Sequence, residues 1–152
     1  MFHMGSVAIN DQMINAFVDQ AVSVFQRAQR VTSGGIFLLH GLIAAVEERI
    51  LPHISKFMQF LVCALRMESC DDMSTRLAAG IISDLSNNIG AAMIQYLDQI
   101  VPEFIKILQK NDYDSEAKLY TIIAFGDLTL AAGPSNFSKY LSDTKHSFFS
   151  AS

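Results

Sequence analysis

Apolar residues recur along this chain at helical spacing almost throughout, and no stretch alternates apolar with polar residues between hairpin turns as a half-buried strand does. The pattern predicts an all-α fold, with helices over residues 9–29, 34–49, 51–66, 72–89, 92–109, 115–132 and 136–149. Stop signals separate them: Thr32-Ser33-Gly34-Gly35, Glu68-Ser69-Cys70-Asp71, Gly90, Asn111-Asp112 and Gly133-Pro134-Ser135. A glycine ends a helix in a conformation other residues resist, and a proline discourages its continuation. Links this short make successive helices pack as antiparallel hairpins. Pro102 falls inside the fifth helix, where the missing N–H predicts a kink or a break.

Sliding the chain along itself by 43 residues superposes Leu42, Leu85 and Leu128, and also Leu39, Ile82 and Phe125. Shifts of 43 and 44 bring Ile54 over Leu97 and Leu141, and His53 over Tyr96 and Tyr140. Ser83-Asp84-Leu85 and Gly126-Asp127-Leu128 match in kind, each followed five residues after the Leu by a glycine, Gly90 and Gly133. A two-helix unit of this length lies in the range of HEAT and armadillo repeats. The physical reason for repetition is that a lone helical hairpin cannot bury its apolar face, whereas stacked hairpins share a continuous core. The expected architecture is therefore a HEAT-repeat α-α superhelix of about seven helices in three to four hairpins. Because both ends are apolar where capping repeats are polar, residues 7–152 read as one array cut from a longer solenoid, with cut surfaces prone to self-association.

Composition narrows the function classes. The chain has 152 residues, 51% of them hydrophobic, with a net charge of −4 and a pI near 5.4. With no run of Lys or Arg to neutralise phosphates, nucleic acid is excluded as a partner and a basic partner is the better electrostatic match. The apolar stretches 36–46 and 50–65 carry Gly, His, Lys or Pro and fall short of the roughly 18 to 20 residues of a membrane span, so no membrane role is expected. The first six residues lack the basic and apolar regions of a secretory signal, and His3-Met4-Gly5-Ser6 reads as an expression-tag remnant. Cys63 and Cys70 are too far apart for a CxxC motif, which points to reduced thiols.

No catalytic, cofactor or metal constellation emerges. His3, His40, His53 and His146 are scattered and no nucleophile elbow is present, so an enzyme is not expected. Gly34-Gly35 lacks the GK[ST] or GxxG continuation of a phosphate cradle and reads as a turn. His40, on an apolar helix, reads as a satisfied, partly buried residue. Glu68, Asp71 and Asp72 precede or open the fourth helix, and Asp112, Asp114 and Glu116 do the same for the sixth. Carboxylates there cap free N–H groups and offset the helix dipole. Their recurrence at equivalent turns also makes Asp71, Asp72, Asp112 and Asp114 a candidate acidic rim for a basic ligand. Asp84 and Asp127 are repeat equivalents late in apolar helices, where a carboxylate must either find donors in the neighbouring repeat or face a ligand. Arg76 and Lys118 open the matching helices and could complete such ladders with nearby acids. Phe57, Phe60, Tyr96, Phe104, Phe137 and Tyr140 belong to first helices and read mainly as core; Phe57, Tyr96 and Tyr140 are also candidates to line grooves that accept a partner's phenylalanines.

The order Ala79-Gly80-Ile81-Ile82-Ser83-Asp84-Leu85, then Phe125-Gly126-Asp127-Leu128-Thr129-Leu130-Ala131-Ala132-Gly133, then Phe137-Ser138-Lys139-Tyr140-Leu141, resembles the importin β family of nuclear transport receptors from about residue 11 onward. Ser83 where the family has Gly, Pro102, and Pro134-Ser135 depart from its pattern. The resemblance implies a receptor shuttling between cytoplasm and nucleus through the nuclear pore. First helices would meet FG nucleoporins; second helices would grip cargo or the basic segment of importin α, with release by Ran GTPase in its GTP form. The family anchors that basic segment chiefly on tryptophans, and this chain has none. A HEAT scaffold such as a phosphatase regulatory subunit or a condensin-type protein would share the periodicity without those motifs, and a small self-contained adaptor would need polar caps.

Overall fold

The computed structural model describes residues 9–28, 33–66 and 72–140. Six α-helices run through them: α1 (Asp11–Ala28), α2 (Ser33–Val46), α3 (Ile54–Leu65), α4 (Asp72–Ile89), α5 (Leu97–Gln109) and α6 (Ser115–Ala132). Three 3₁₀ segments, Glu47–His53, Gly90–Tyr96 and Pro134–Phe137, lead from one hairpin to the next. Among the described residues there is no strand. The hairpins are α1–α2, α3–α4 and α5–α6. Residues 1–6 and most of the expected helix 136–149 lie outside the described residues.

The 43-residue register is written into the backbone as well as the side chains. Val46 and Ile89 precede their 3₁₀ segments at φ −106 and −113, and His53 and Tyr96 close those segments at φ −105 and −104. Arg66 and Lys110 end α3 and α5 in the same extended conformation, ψ 115 and 114, each N–H returning to the carbonyl three residues back. Positive φ recurs at the same place in all three repeats: Glu47 at +53, Gly90 at +54 and Gly133 at +88. Two of the three positions hold the residue that tolerates it; the first holds a glutamate.

The break expected at Pro102 is not there. The chain changes from 3₁₀ to α at Leu97, and α5 then runs unbroken through Pro102 to Gln109. The discontinuity belongs to the hairpin-to-hairpin junction that each repeat carries, which explains why helix 92–109 begins five residues later than its pattern suggests. The helical run Asp72–Gln109 is long and apolar enough by composition to cross a membrane. It turns at Gly90, however, and Ile81, Ile82, Leu85, Ile100, Val101 and Phe104 along it are buried in the protein core.

That core runs continuously through the stack, from Ile14, Val18 and Phe25 on α1 to Phe137 and Tyr140. Second helices stack on second helices, with the most extensive contact between α4 and α6. Phe104, Phe125, Phe137 and Tyr140 form a chain of rings with centroids 5.7–5.8 Å apart, the first two contacts tilted and the last edge-on, crossing from the third hairpin to the residues after it. A wholly buried side chain of this size contributes about 2–3 kcal/mol through removal from water. Buried hydroxyls are satisfied locally: Ser86 and Thr121 donate to carbonyls four residues back, and Thr75 donates across the hairpin to Ala64 O at 2.9 Å.

Candidate functional site

The candidate surfaces are the two sides of the stack, one made of first helices and one of second helices. Among the described residues, no three His, Cys, Asp or Glu side chains gather as a metal site would require.

On the second-helix side the acids bind the repeats together. Asp84 Oδ2 lies 3.2 Å from His40 Nε2, linking α4 to α2. One repeat on, Asp127 accepts from the Ser83 hydroxyl, linking α6 to α4. The two contacts are the same rung, donor in one repeat and carboxylate 44 residues later. Arg76 of α4 reaches Asp114 Oδ2 at 3.5 Å and Glu116 Oε2 at 2.5 Å. Asp114 is also the N-cap of α6, accepting from Ala117 N–H at 2.9 Å. Lys118 is half-buried and, among the described residues, forms no ion pair; its backbone N–H donates to Asp114 O at 3.1 Å. Of the candidate rim, Asp72 and Asp112 are exposed, Asp114 is engaged as described, and Asp71 lies outside the described residues.

Across the open side of the second helices runs a groove of about 350 Å³ lined by His40, Met73, Arg76, Leu77, Gly80 and Tyr120. It joins α2, α4 and α6. Apart from His40 and Arg76, both held by carboxylates, its lining is apolar or aromatic.

The first-helix side carries polar clasps of its own. Lys56 of α3 donates to Asn15 and pairs with Asp19 at 3.6 Å on α1. Arg66 at the end of α3 reaches Glu103 of α5 at 3.8 Å, and Glu103, almost wholly buried, also holds Lys106 at 3.2 Å. Asp98 Oδ1 receives both Lys139 Nζ, at 2.8 Å, and the Tyr140 hydroxyl. Those two donors, Lys139 first and Tyr140 second, hold the Asp98 carboxyl below its ordinary value, and the bond to Asp98 raises the Lys139 ammonium. Burial, then the bond to Asp98, pushes the Tyr140 phenol up; burial alone raises Tyr96.

Two grooves separate neighbouring first helices. The first, about 480 Å³, is walled largely by polar groups: Gln59, Arg66, Asp98, Gln99 and Glu103 beside Val62 and Pro102. The second, about 370 Å³, sets Ile94, Leu97 and Tyr140 beside Asp98, Ser135, Asn136, Ser138 and Lys139. Tyr140 thus borders a groove and Tyr96 is partly buried against the core. Phe57, the third candidate, is wholly buried in the core and is in the lining of neither groove. Asp98, Glu103 and Ser83 were not legible as partners of the residues they hold, although the spacing of Asp98 from Lys139 and Tyr140, close to the repeat length, carried the signal.

Comparison with known proteins adds an independent line. The family described as importin subunit beta-1-like, TPR repeats, matches residues 6–152. The chain is also 24% identical, over 132 residues and 87% of its length, to importin subunit beta-1 of Schizosaccharomyces pombe, of which it spans 15%. No solved structure matches it.

Proposed function

The chain belongs to the importin subunit beta-1-like repeat family, and from that premise we propose that it forms part of a nuclear import receptor. In this reading the receptor carries cargo, directly or through importin α, between cytoplasm and nucleus, and RanGTP releases it. The observation that carries the reading is the family match, which covers every hairpin described above. The faces divide the work. The groove between α5 and the residues around Tyr140 accepts phenylalanines of FG nucleoporins, since Ile94 is exposed and Leu97 and Tyr140 give it an apolar floor. The groove between α3 and α5 has a lining of similar polarity but offers a ring only Val62 and Pro102 as apolar contacts. Asp72 and Asp112, exposed at neighbouring turns, supply what acidic rim there is for a basic segment.

The test is retention of the chain on immobilised FxFG-repeat peptide, beside a peptide with Phe replaced by Ser and a basic importin-α-type peptide at two salt concentrations. The expected outcome is Phe-dependent retention that Ile94→Asp removes, plus weaker, salt-sensitive retention on the basic peptide. If neither peptide holds the chain, the transport reading fails and a generic repeat scaffold takes its place.

A further inference from the structure

Repeat register shows which side of α6 stands open. Ile36 on α2 and Ala79 on α4 are wholly buried, whereas Ile122, at the same place on α6, is 57% exposed. Arg76 on α4 is held by Asp114 and Glu116 of the next repeat, and its equivalent on α6 is Leu119, 55% exposed. His40 and Ser83 each tie a carboxylate of the next second helix, and their equivalent is Gly126, where a Cβ would meet no atom within 4 Å. Thr129, equivalent to the buried Ser86, donates to Phe125 O of its own helix at 2.7 Å. Leu119, Ile122, Gly126 and Thr129 follow one another at intervals of three or four, so they form a single stripe along α6. It is the side by which α2 meets α4 and α4 meets α6.

We propose that this stripe is a dimerisation surface, on which α6 of a second copy of the chain packs about a twofold axis passing by Gly126. The missing tie selects the occupant. Both junctions within the chain match a donor on one second helix with a carboxylate on the next. A helix that brought such a carboxylate to the α6 stripe would bury it unpaired, because Gly126 has no side chain and the Thr129 hydroxyl hydrogen is already given to Phe125 O. The same stripe on a second copy brings no acid. Gly126 then meets Gly126, where the absence of a Cβ lets the two backbones approach, and Leu119 and Ile122 of both copies close around that point. A surface that complements itself in this way is what a twofold dimer requires, the commonest symmetry among soluble oligomers. The contact continues, between copies, the stacking that α4 and α6 already make within one. The inference does not rest on the transport reading, since a scaffold with these residues would present the same stripe.

The test is sedimentation equilibrium of the chain from about 1 µM to 1 mM. The mass should rise from the 16.8 kDa of one chain towards twice that value and stop there. Raising salt from about 0.01 M to 0.15 M should not loosen the pair, because no ion pair spans the contact. Leu119→Gln and Ile122→Gln should each weaken association by about tenfold or more, as truncation of a central contact does. Leu51→Gln, which removes another exposed apolar side chain away from the stripe, should leave it unchanged; circular dichroism confirms that each variant is folded. Gly126→Cys tests the symmetry: a twofold contact sets position 126 against itself, so mild oxidation should join two copies through that position. The unsubstituted chain, oxidised alongside, gives the background from Cys63 and Cys70. A chain that stays at the mass of one copy, or a dimer indifferent to Leu119→Gln and Ile122→Gln, overturns the proposal. So does growth past two copies, or a dimer of Gly126→Cys that forms no disulfide at position 126, either of which would mean an unsymmetric contact.

Discussion

Replacing Glu47 by Gly should stabilise the protein, although it removes a whole side chain and adds no contact. Glu47 sits at φ +53, in the region where an L side chain crowds its own backbone at a cost of about 1–2 kcal/mol. It also follows the C-terminus of α2, where the helix dipole disfavours a carboxylate by about 0.3–1 kcal/mol. Against these gains stands the greater freedom of glycine in the unfolded chain, about 0.4–1 kcal/mol. The balance is a gain of about 0.3–2.6 kcal/mol, or roughly 1–10 °C in Tm for a chain of this size. The repeat supplies its own controls. Gly90 and Gly133 occupy the equivalent position, and a Cβ built on either meets no atom within 4 Å, so an alanine there costs backbone strain alone. Gly90→Ala should cost about 0.5–1.5 kcal/mol. Gly133→Ala should cost more, about 1–3 kcal/mol, because φ +88 with ψ 148 is glycine territory. Urea unfolding followed by circular dichroism measures all three, with an unchanged m-value marking a pure stability effect. A lower midpoint for Glu47→Gly, or an alanine at Gly90 that costs nothing, would refute the equivalence of the three junctions.

Two further predictions concern packing and pH. Gly35→Ala should destabilise by about 1–3 kcal/mol in the same assay, since its Cβ would fall 2.3 Å from Cε1 of the buried Phe25, which stacks on Phe60; Gly34→Ala, with open space around it, should not. The lowered carboxyl of Asp98 makes its clasp complete above the ordinary aspartate value of 3.8, and it opens only as pH falls through the lower folded value. An NMR titration of the Asp98 side-chain carboxyl should therefore show a depressed midpoint that Lys139→Met returns towards normal; an unmoved midpoint in that variant would remove Lys139 as the main cause.

The helices and their pairing were legible because a helix that buries one stripe must repeat its apolar residues every three to four positions, and Leu42, Leu85 and Leu128 do so at a fixed further interval. What the pattern hid was the junction. Gly90–Tyr96 keeps nearly helical spacing while its hydrogen bonds tighten to 3₁₀, so it merged with α5 in the sequence, and Pro102 drew the expected break to itself. Glu47 was hidden for the opposite reason. Its equivalents announce themselves as glycines, whereas a glutamate at positive φ looks like any charged residue at a helix end.

The site was less legible than the fold because a side chain's type does not say which of two neighbours claims it. Phe57 and Tyr140 both carry an aromatic ring on a first helix, yet one ring is enclosed by the core while the other, tied by its hydroxyl to Asp98, edges a groove. The acids illustrate the same point. A carboxylate late in an apolar helix is costly without donors, so stacking favours any arrangement in which the preceding repeat supplies one. His40 and Ser83 do so from aligned positions although they share no chemistry beyond a polar hydrogen. A rung whose donor varies and whose acceptor is constant is a structural tie first.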